Sequence, residues 1–199
     1  DTPSIYTLNR IKNLLYKKPF GLSALGDARK ILRMKREDVV RYFQEKYTTN
    51  KMILCIVGNT KIEEIENYGK NFPKTRMKEE KMKTWKINRQ IVEKRKGLEQ
   101  AHFALGFHAS NAGEKGRYAD EIFNAILAVG MSSRLFEEIR EKRGLAYDIK
   151  GFLEQGKNYG YNVIYIGTRK EKIKECREII LKEIKKLKNL EKKDFEEAK

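Results

Sequence analysis

The apolar residues of the second half of the chain change their period from element to element, and this constrains the fold more than any other feature. In Ala101–His108, Phe103, Leu105 and Phe107 alternate with smaller or polar residues, the two-residue period of a strand. From Gly116 to about Lys142, Ile122, Phe123, Ile126, Leu127, Leu135, Phe136 and Ile139 fall at helical spacing, with Gly130 to Ser133 as a weak point. Two further strands, Ala146–Gln155 and Tyr159–Gly167, flank a Gly156-Lys157-Asn158 turn. Residues 169–188 then return to helical spacing, with Ile173, Cys176, Ile179, Ile180, Ile184 and Leu187 as the buried face. With a strand around Gln90–Arg95, the order is β-β-α-β-β-α. Such a chain buries its apolar faces by packing helices on one face of an antiparallel or mixed sheet, an α+β fold.

The first half reads as a second lobe of the same kind. Ile5, Leu8, Ile11 and Leu15 give residues 4–17 one apolar helical face, with Ser4 as the cap, until Pro19 and Gly21 interrupt it. A second helix spans 35–47, with Val39, Val40, Phe43 and Tyr47 on one face. Lys51–Val57 reads as a buried strand, and a helix follows from Lys61 to about Phe72. From Pro73 the pattern becomes charged and aperiodic. The expected organisation is a first domain over 1–73, a basic linker over 74–89 and a second domain over 90–199, whose last helix, from Asp194, stops in mid-pattern at Lys199.

Composition excludes several classes. Charged residues are 36% and hydrophobic ones 40%, which suits a globular chain rather than a disordered tail. The longest apolar run, Met52 to Val57, falls far short of the ~20 residues of a membrane span. No signal peptide is visible, so a cytoplasmic location is expected, and the lack of an initiator Met suggests an excised piece. The net charge of +16 invites a nucleic-acid reading. However, most Lys residues interleave with Glu along helices, as on a solvated face. The most basic stretch, Lys74 to Lys96, holds ten Lys/Arg against three Glu, but Trp85 is its only aromatic. A stacking surface for bases is therefore not expected. Cys55 and Cys176 read as two buried free thiols.

Chemistry-bearing motifs are few. His102 and His108 share a strand face but lie six residues, roughly 20 Å, apart, too far to ligate one metal ion. No His-x-x-Glu-His or His-Glu-x-x-His motif occurs. Gly21 to Gly26 has half of a phosphate-loop spacing but continues Asp27-Ala28 where Lys-Ser/Thr should stand. The segment Ser133 to Tyr147 differs, because a helix there ends at Gly144 and a strand begins three residues later with Tyr147. Arg140 falls in the last helical turn and Tyr147 at the strand's start. Arg offers a fork of donors to a carbonyl, and a Tyr hydroxyl can donate to a developing oxyanion. The same residues also suit a dipole-compensating Arg and a core Tyr.

Ser133-Arg134-Leu135-Phe136, followed by Arg140-Glu141, Gly144-Leu145-Ala146-Tyr147, resembles the second-domain signature of the M16 zinc peptidases, the insulinase-like and mitochondrial-processing-peptidase-like enzymes. Asp1-Thr2-Pro3, Pro19-Phe20-Gly21, Leu25-Gly26, Lys35 to Val39, Tyr47 with Asn50, and Ile56-Val57-Gly58-Asn59 follow the order of the latter part of that family's first domain, with Lys18 where relatives often carry His. The resemblance implies the end of a zinc domain joined to most of a second, substrate-holding domain. Zinc, held by His-x-x-Glu-His plus a distant Glu, and the general base would lie upstream of Asp1 or on a partner chain, and this fragment alone would bind no zinc and be inactive. Arg140 would bind the backbone of an unfolded peptide substrate, and Tyr147 would serve catalysis by stabilising the tetrahedral intermediate. A dimer is possible, with neither nucleic acid nor membrane as a partner. The competing readings are a non-catalytic M16-like subunit or scaffold and, more remotely, a basic nucleic-acid-binding domain.

Overall fold

A computed structural model describes residues 2–72, 74, 82–190 and 192–198. Its elements, in chain order, are α1 (Pro3–Leu15), α2 (Ala28–Arg33), α3 (Arg36–Lys46), α4 (Ile62–Gly69), β1 (Ala101–His108), α5 (Arg117–Ala128), β2 (Ala146–Gln155), β3 (Gly160–Thr168), α6 (Ile173–Lys186) and α7 (Lys192–Ala198). Two compact units emerge: Asp1–Ala24 with Met82–Lys199, and Leu25–Lys81.

The larger unit is built on an antiparallel sheet of order β1-β3-β2. The expected hairpin forms, closed by the Gly156 N–H donating to the Tyr159 carbonyl at 2.8 Å. β3, the central strand, is buried along its whole length. On one face Ile149, Ile164 and Ile166 meet Leu127 of α5, Ile139, and Cys176 and Ile180 of α6. Fully burying such a side chain contributes about 1.5–3 kcal/mol, so this cluster, rather than the propensity of its Lys/Glu-rich surface, holds α6 in place. Glu183 is also buried on α6, its carboxylate paired with Lys186 at 2.7 Å.

The other sheet face carries α1, contrary to the expectation of helices on one face only. Ile11, Leu15 and Tyr16 pack against Ala104 of β1 and Tyr161 and Val163 of β3. Gly106 makes this possible, since a Cβ there would lie 2.7 Å from Ile11 Cγ2. The Tyr16 hydroxyl donates to the Gly160 carbonyl at 2.6 Å. Glu154 accepts from Lys12 at 2.9 Å, from Tyr159 at 2.6 Å and from Tyr161. Residues 86–89 run along the end of α1, where the Ile87 and Arg89 N–H groups donate to the Leu15 and Leu14 carbonyls. The helix therefore groups with residues beyond 82 and not with the rest of 1–73, because its apolar stripe finds its partner in that sheet.

Other expectations shift as well. The segment Gln90–Arg95 is not in a strand. The long helix is broken after Ala128, where Gly130 adopts φ 82, and helical structure resumes before a single π-helical turn, Phe136–Glu141. The basic stretch 74–89 is described only at Lys74 and 82–89.

In the smaller unit α3 forms as expected, with the Asp38 carboxylate accepting from the Lys35 N–H at 3.2 Å. Its apolar residues Val39, Phe43 and Tyr47 are nevertheless exposed, Phe43 and Tyr47 stacked on each other at 4.7 Å. The strand expected at Lys51–Val57 is not formed: a 3₁₀ turn occupies Thr49–Lys51, and Met52–Val57 joins no ladder, with Ile53 and Val57 each 95% exposed. A strand is stabilised by its neighbours, and the described residues of this unit contain no paired strand for the run to join. Cys55 is accordingly exposed rather than buried, whereas Cys176 lies in the core of the larger unit.

Candidate functional site

The junction between the π-helical turn and β2 holds both residues singled out in the sequence. Leu135 and Ile139 anchor the turn in the core. Ser133 is buried, its hydroxyl donating to the Gly130 carbonyl at 2.8 Å, and Arg134 pairs with Asp194 of α7. The motif's first residues thus hold the scaffold. π-turns interrupt regular helices at a cost and recur at functional sites.

Gly144 closes the turn in the left-handed region at φ 57. Its N–H donates to the Arg140 carbonyl at 3.0 Å, and the Leu145 N–H donates to the Ile139 carbonyl at 2.9 Å. Two carbonyls at the end of the turn are thereby satisfied, as in a glycine-terminated cap. The Thr168 hydroxyl donates to the Leu145 carbonyl at 2.5 Å and fixes the next residue onto β3.

Tyr147 then departs from simple alternation. Ala146 pairs with Thr168 and Asp148 with Gly167, so Tyr147 sits in a bulge with no partner on β3. The extra residue changes the parity of the strand. Ala146 and Ile149 both point into the core, and Tyr147, which strict alternation from Ile149 would bury, is 60% exposed. Bulges re-aim side chains in this way next to active sites.

Arg140 is exposed, its guanidinium 5.0 Å from the centre of the Phe136 ring. The surrounding cations are occupied: Lys142 pairs with Glu137 and Glu138, and Arg143 pairs with Glu138. Hydrogen bonds from Lys142 and Arg143 pull the Glu138 carboxyl down to about 2. Among the described residues, neither the Arg140 guanidinium nor the Tyr147 hydroxyl takes part in a hydrogen bond or ion pair, and no such contact joins the two. The junction presents two donors without a hydrogen-bond partner among the described residues, a cationic fork and a phenol, on either side of a glycine cap.

The histidines serve the fold. His102 Nδ1 lies 2.7 Å from the Tyr165 hydroxyl, and His108 Nε2 lies 3.2 Å from the Ile87 carbonyl, with its ring edge-on to Tyr16. Burial lowers the pKa of both. No group of three His, Cys, Asp or Glu among the described residues is placed to hold a metal ion. No described helix is long and apolar enough to cross a membrane.

The sequence reading did not single out the Glu154 cluster. Burial raises the carboxyl's pKa, but the hydrogen bonds from Tyr159, Tyr161 and Lys12 outweigh it and hold it below the ordinary value. The spacing Glu154, Tyr159, Tyr161 across a hairpin turn was the available signal. Lys12, from a distant helix, was not.

Comparison with known proteins identifies the family of the chain. The family model described as the peptidase M16 inactive domain matches residues 33–199. An uncharacterised zinc protease of Bacillus subtilis is 26% identical over 163 residues, covering 80% of this chain and 40% of that protein. One of Rickettsia bellii is 28% identical over 193 residues, covering 94% of this chain and 46% of that protein. The chain thus spans less than half the length of these curated relatives. The crystal structure of a peptidase M16 inactive domain from Pseudomonas fluorescens superposes with a TM-score of 0.78 at 20% identity, over 99% of this chain and 50% of that one.

Proposed function

We propose, from the premise that this chain belongs to the M16 peptidase family, that it supplies the substrate-holding part of a zinc-dependent endopeptidase. The observation that carries the reading is the pair of unpartnered donors, Arg140 and Tyr147, at a capped junction whose bulge turns the tyrosine outward. In this reading residues 90–199 form the substrate-holding domain, and residues 1–73 are the end of a preceding zinc domain whose first helix, α1, packs on the substrate-holding sheet.

The guanidinium of Arg140 engages a backbone carbonyl of an extended, unfolded peptide. It does so in the bound peptide as well as in the transition state, so it contributes to affinity. The Tyr147 phenol donates to the oxygen of the scissile carbonyl as that oxygen gains negative charge. A donor already in place needs no reorganisation at that moment, and such a group is worth about 2.7–4 kcal/mol in a dry site.

The described residues do not fit a zinc ion, since both histidines are engaged in the sheet and no ligand cluster is present. In this reading the metal and the general base are supplied by another segment of the polypeptide or by a partner chain. A second reading, a non-catalytic partner subunit, is favoured by the matching model's description as an inactive domain.

The test is steady-state kinetics on a peptide substrate with a complete, active polypeptide that carries this chain. Tyr147→Phe should lower kcat with little change in KM, and Arg140→Ala should raise KM as well. Circular dichroism melts should hardly move, because both side chains are exposed. Wild-type kcat/KM in both variants would refute the roles assigned here. Stoichiometric peptide binding that contributes nothing to turnover would support the non-catalytic subunit.

A further inference from the structure

We propose that the pocket at the C-terminal end of α1 binds acidic peptide segments in which carboxylates adjoin apolar side chains. The pocket has a volume of about 480 Å³, within the ~300–1,000 Å³ that ligand pockets occupy. Arg10, Lys17, Lys18 and Arg89 line it, and no carboxylate does. Four cations around one space repel each other unless an anion enters between them.

Their partnering supports this reading. Among the described residues, the side chains of Lys17, Lys18 and Arg89 make no hydrogen bond and no ion pair. Arg10 has an acidic neighbour, Glu93, but its Nη2 lies 3.6 Å from that carboxylate. The Arg10 Nε and the Asn13 Oδ1 are buried with no hydrogen-bond partner among the described residues. Folded proteins rarely leave such groups unmatched, and both belong to residues that line the pocket. The Arg10 side chain is 40% exposed, so an entering carboxylate meets the outer nitrogens of its guanidinium.

The walls point to a peptide rather than an inorganic anion. Leu14, Leu22 and Ile87 line the space as well as the cations, so a ligand carrying only charge would leave apolar wall unmatched. The site is also held in place: the Ile87 and Arg89 N–H groups are fastened to the carbonyls at the end of α1, and the Lys17 N–H donates to the Trp85 carbonyl at 3.0 Å. The pocket shares none of its lining residues with the Arg140–Tyr147 junction and does not depend on the role proposed for it.

Isothermal titration of this chain with the tetrapeptide Asp-Leu-Glu-Leu tests the proposal, with Asn-Leu-Gln-Leu, amidated at its C-terminus, as the uncharged control. The acidic peptide should bind, more weakly at physiological than at low salt, because added ions screen exposed charge. The control, and the double variant Lys17→Gln/Arg89→Gln, should each bind about tenfold more weakly, equivalent to ~1.4 kcal/mol. Equal binding of the control, or full affinity in the double variant, would overturn the proposal. So would binding of sodium tripolyphosphate in the absence of peptide binding, which would mark a phosphate site. If the double variant melts early, the exposed Lys18→Gln replaces it, and undiminished affinity there would count against the proposal. The readout is binding and not turnover, so its failure leaves the roles of Arg140 and Tyr147 untouched, and the reverse also holds.

Discussion

Gly106→Ala should loosen α1 from the sheet. The new methyl would sit 2.7 Å from Ile11 Cγ2 and 3.1 Å from Leu15 Cδ1. Carbon atoms pack best at about 3.5–4.0 Å, so helix and strand must part by roughly 1 Å. Neither side yields easily, since Ile11 and Leu15 are 5% and 4% exposed and β1 is laddered to β3 along its length. Overpacking of this kind costs about 1–3 kcal/mol. Relief of glycine's entropic cost within a strand returns about 0.5–1 kcal/mol, leaving a net loss of roughly 0–2.5 kcal/mol. The assay is urea unfolding followed by circular dichroism on the wild type, Gly106→Ala, Ile11→Ala and the double variant. Ile11→Ala alone removes a buried side chain and should cost about 2–5 kcal/mol. In the double variant the new methyl occupies part of the vacated space, so the loss should fall short of the sum by ~0.5–3 kcal/mol. A Gly106→Ala chain as stable as wild type, with strictly additive losses in the double variant, would refute the packing of α1 on β1.

Gly144→Ala should cost about 1–2 kcal/mol because φ 57 strains an L-residue, although nothing crowds the position. Gly144→Asn should cost less, and equal melting temperatures for Ala and wild type would argue against the left-handed cap. The Glu138 carboxyl titrates near 2 in the folded chain against an ordinary 4.5. Its ion pairs therefore contribute stability above about pH 4.5 and lose it as the pH falls toward 2. The gap in urea midpoint between wild type and Glu138→Gln should close over that range, and a gap independent of pH would exclude the linkage. Under native conditions Cys55 should react quickly with a thiol reagent, whereas Cys176, buried and with its pKa raised by burial, should react only on unfolding. Equal rates would place both thiols in one environment.

The local elements were legible because their causes are local. The alternation of Phe103, Leu105 and Phe107, the glycine turn at Gly156 and the 3.6-residue spacing from Cys176 to Leu187 each state a period, and the structure bears out the strands and helix they imply. The family resemblance was legible for a similar reason, since Arg140 to Tyr147 is a contiguous segment. Tertiary structure decided what each face meets. The stripe of α1 reads the same whether it packs on its sequence neighbours or, as it does, on β1 and β3. Met52 to Val57 has a strand's composition but no ladder, because pairing is supplied by other segments. Glu183 sits on the buried side of α6 because Lys186, one turn on, neutralises it there. Tyr147 faces outward because one unpaired residue shifts the register against β3. An apolar period requires that a face be covered, but the surface that covers it is set by contacts far away in the chain.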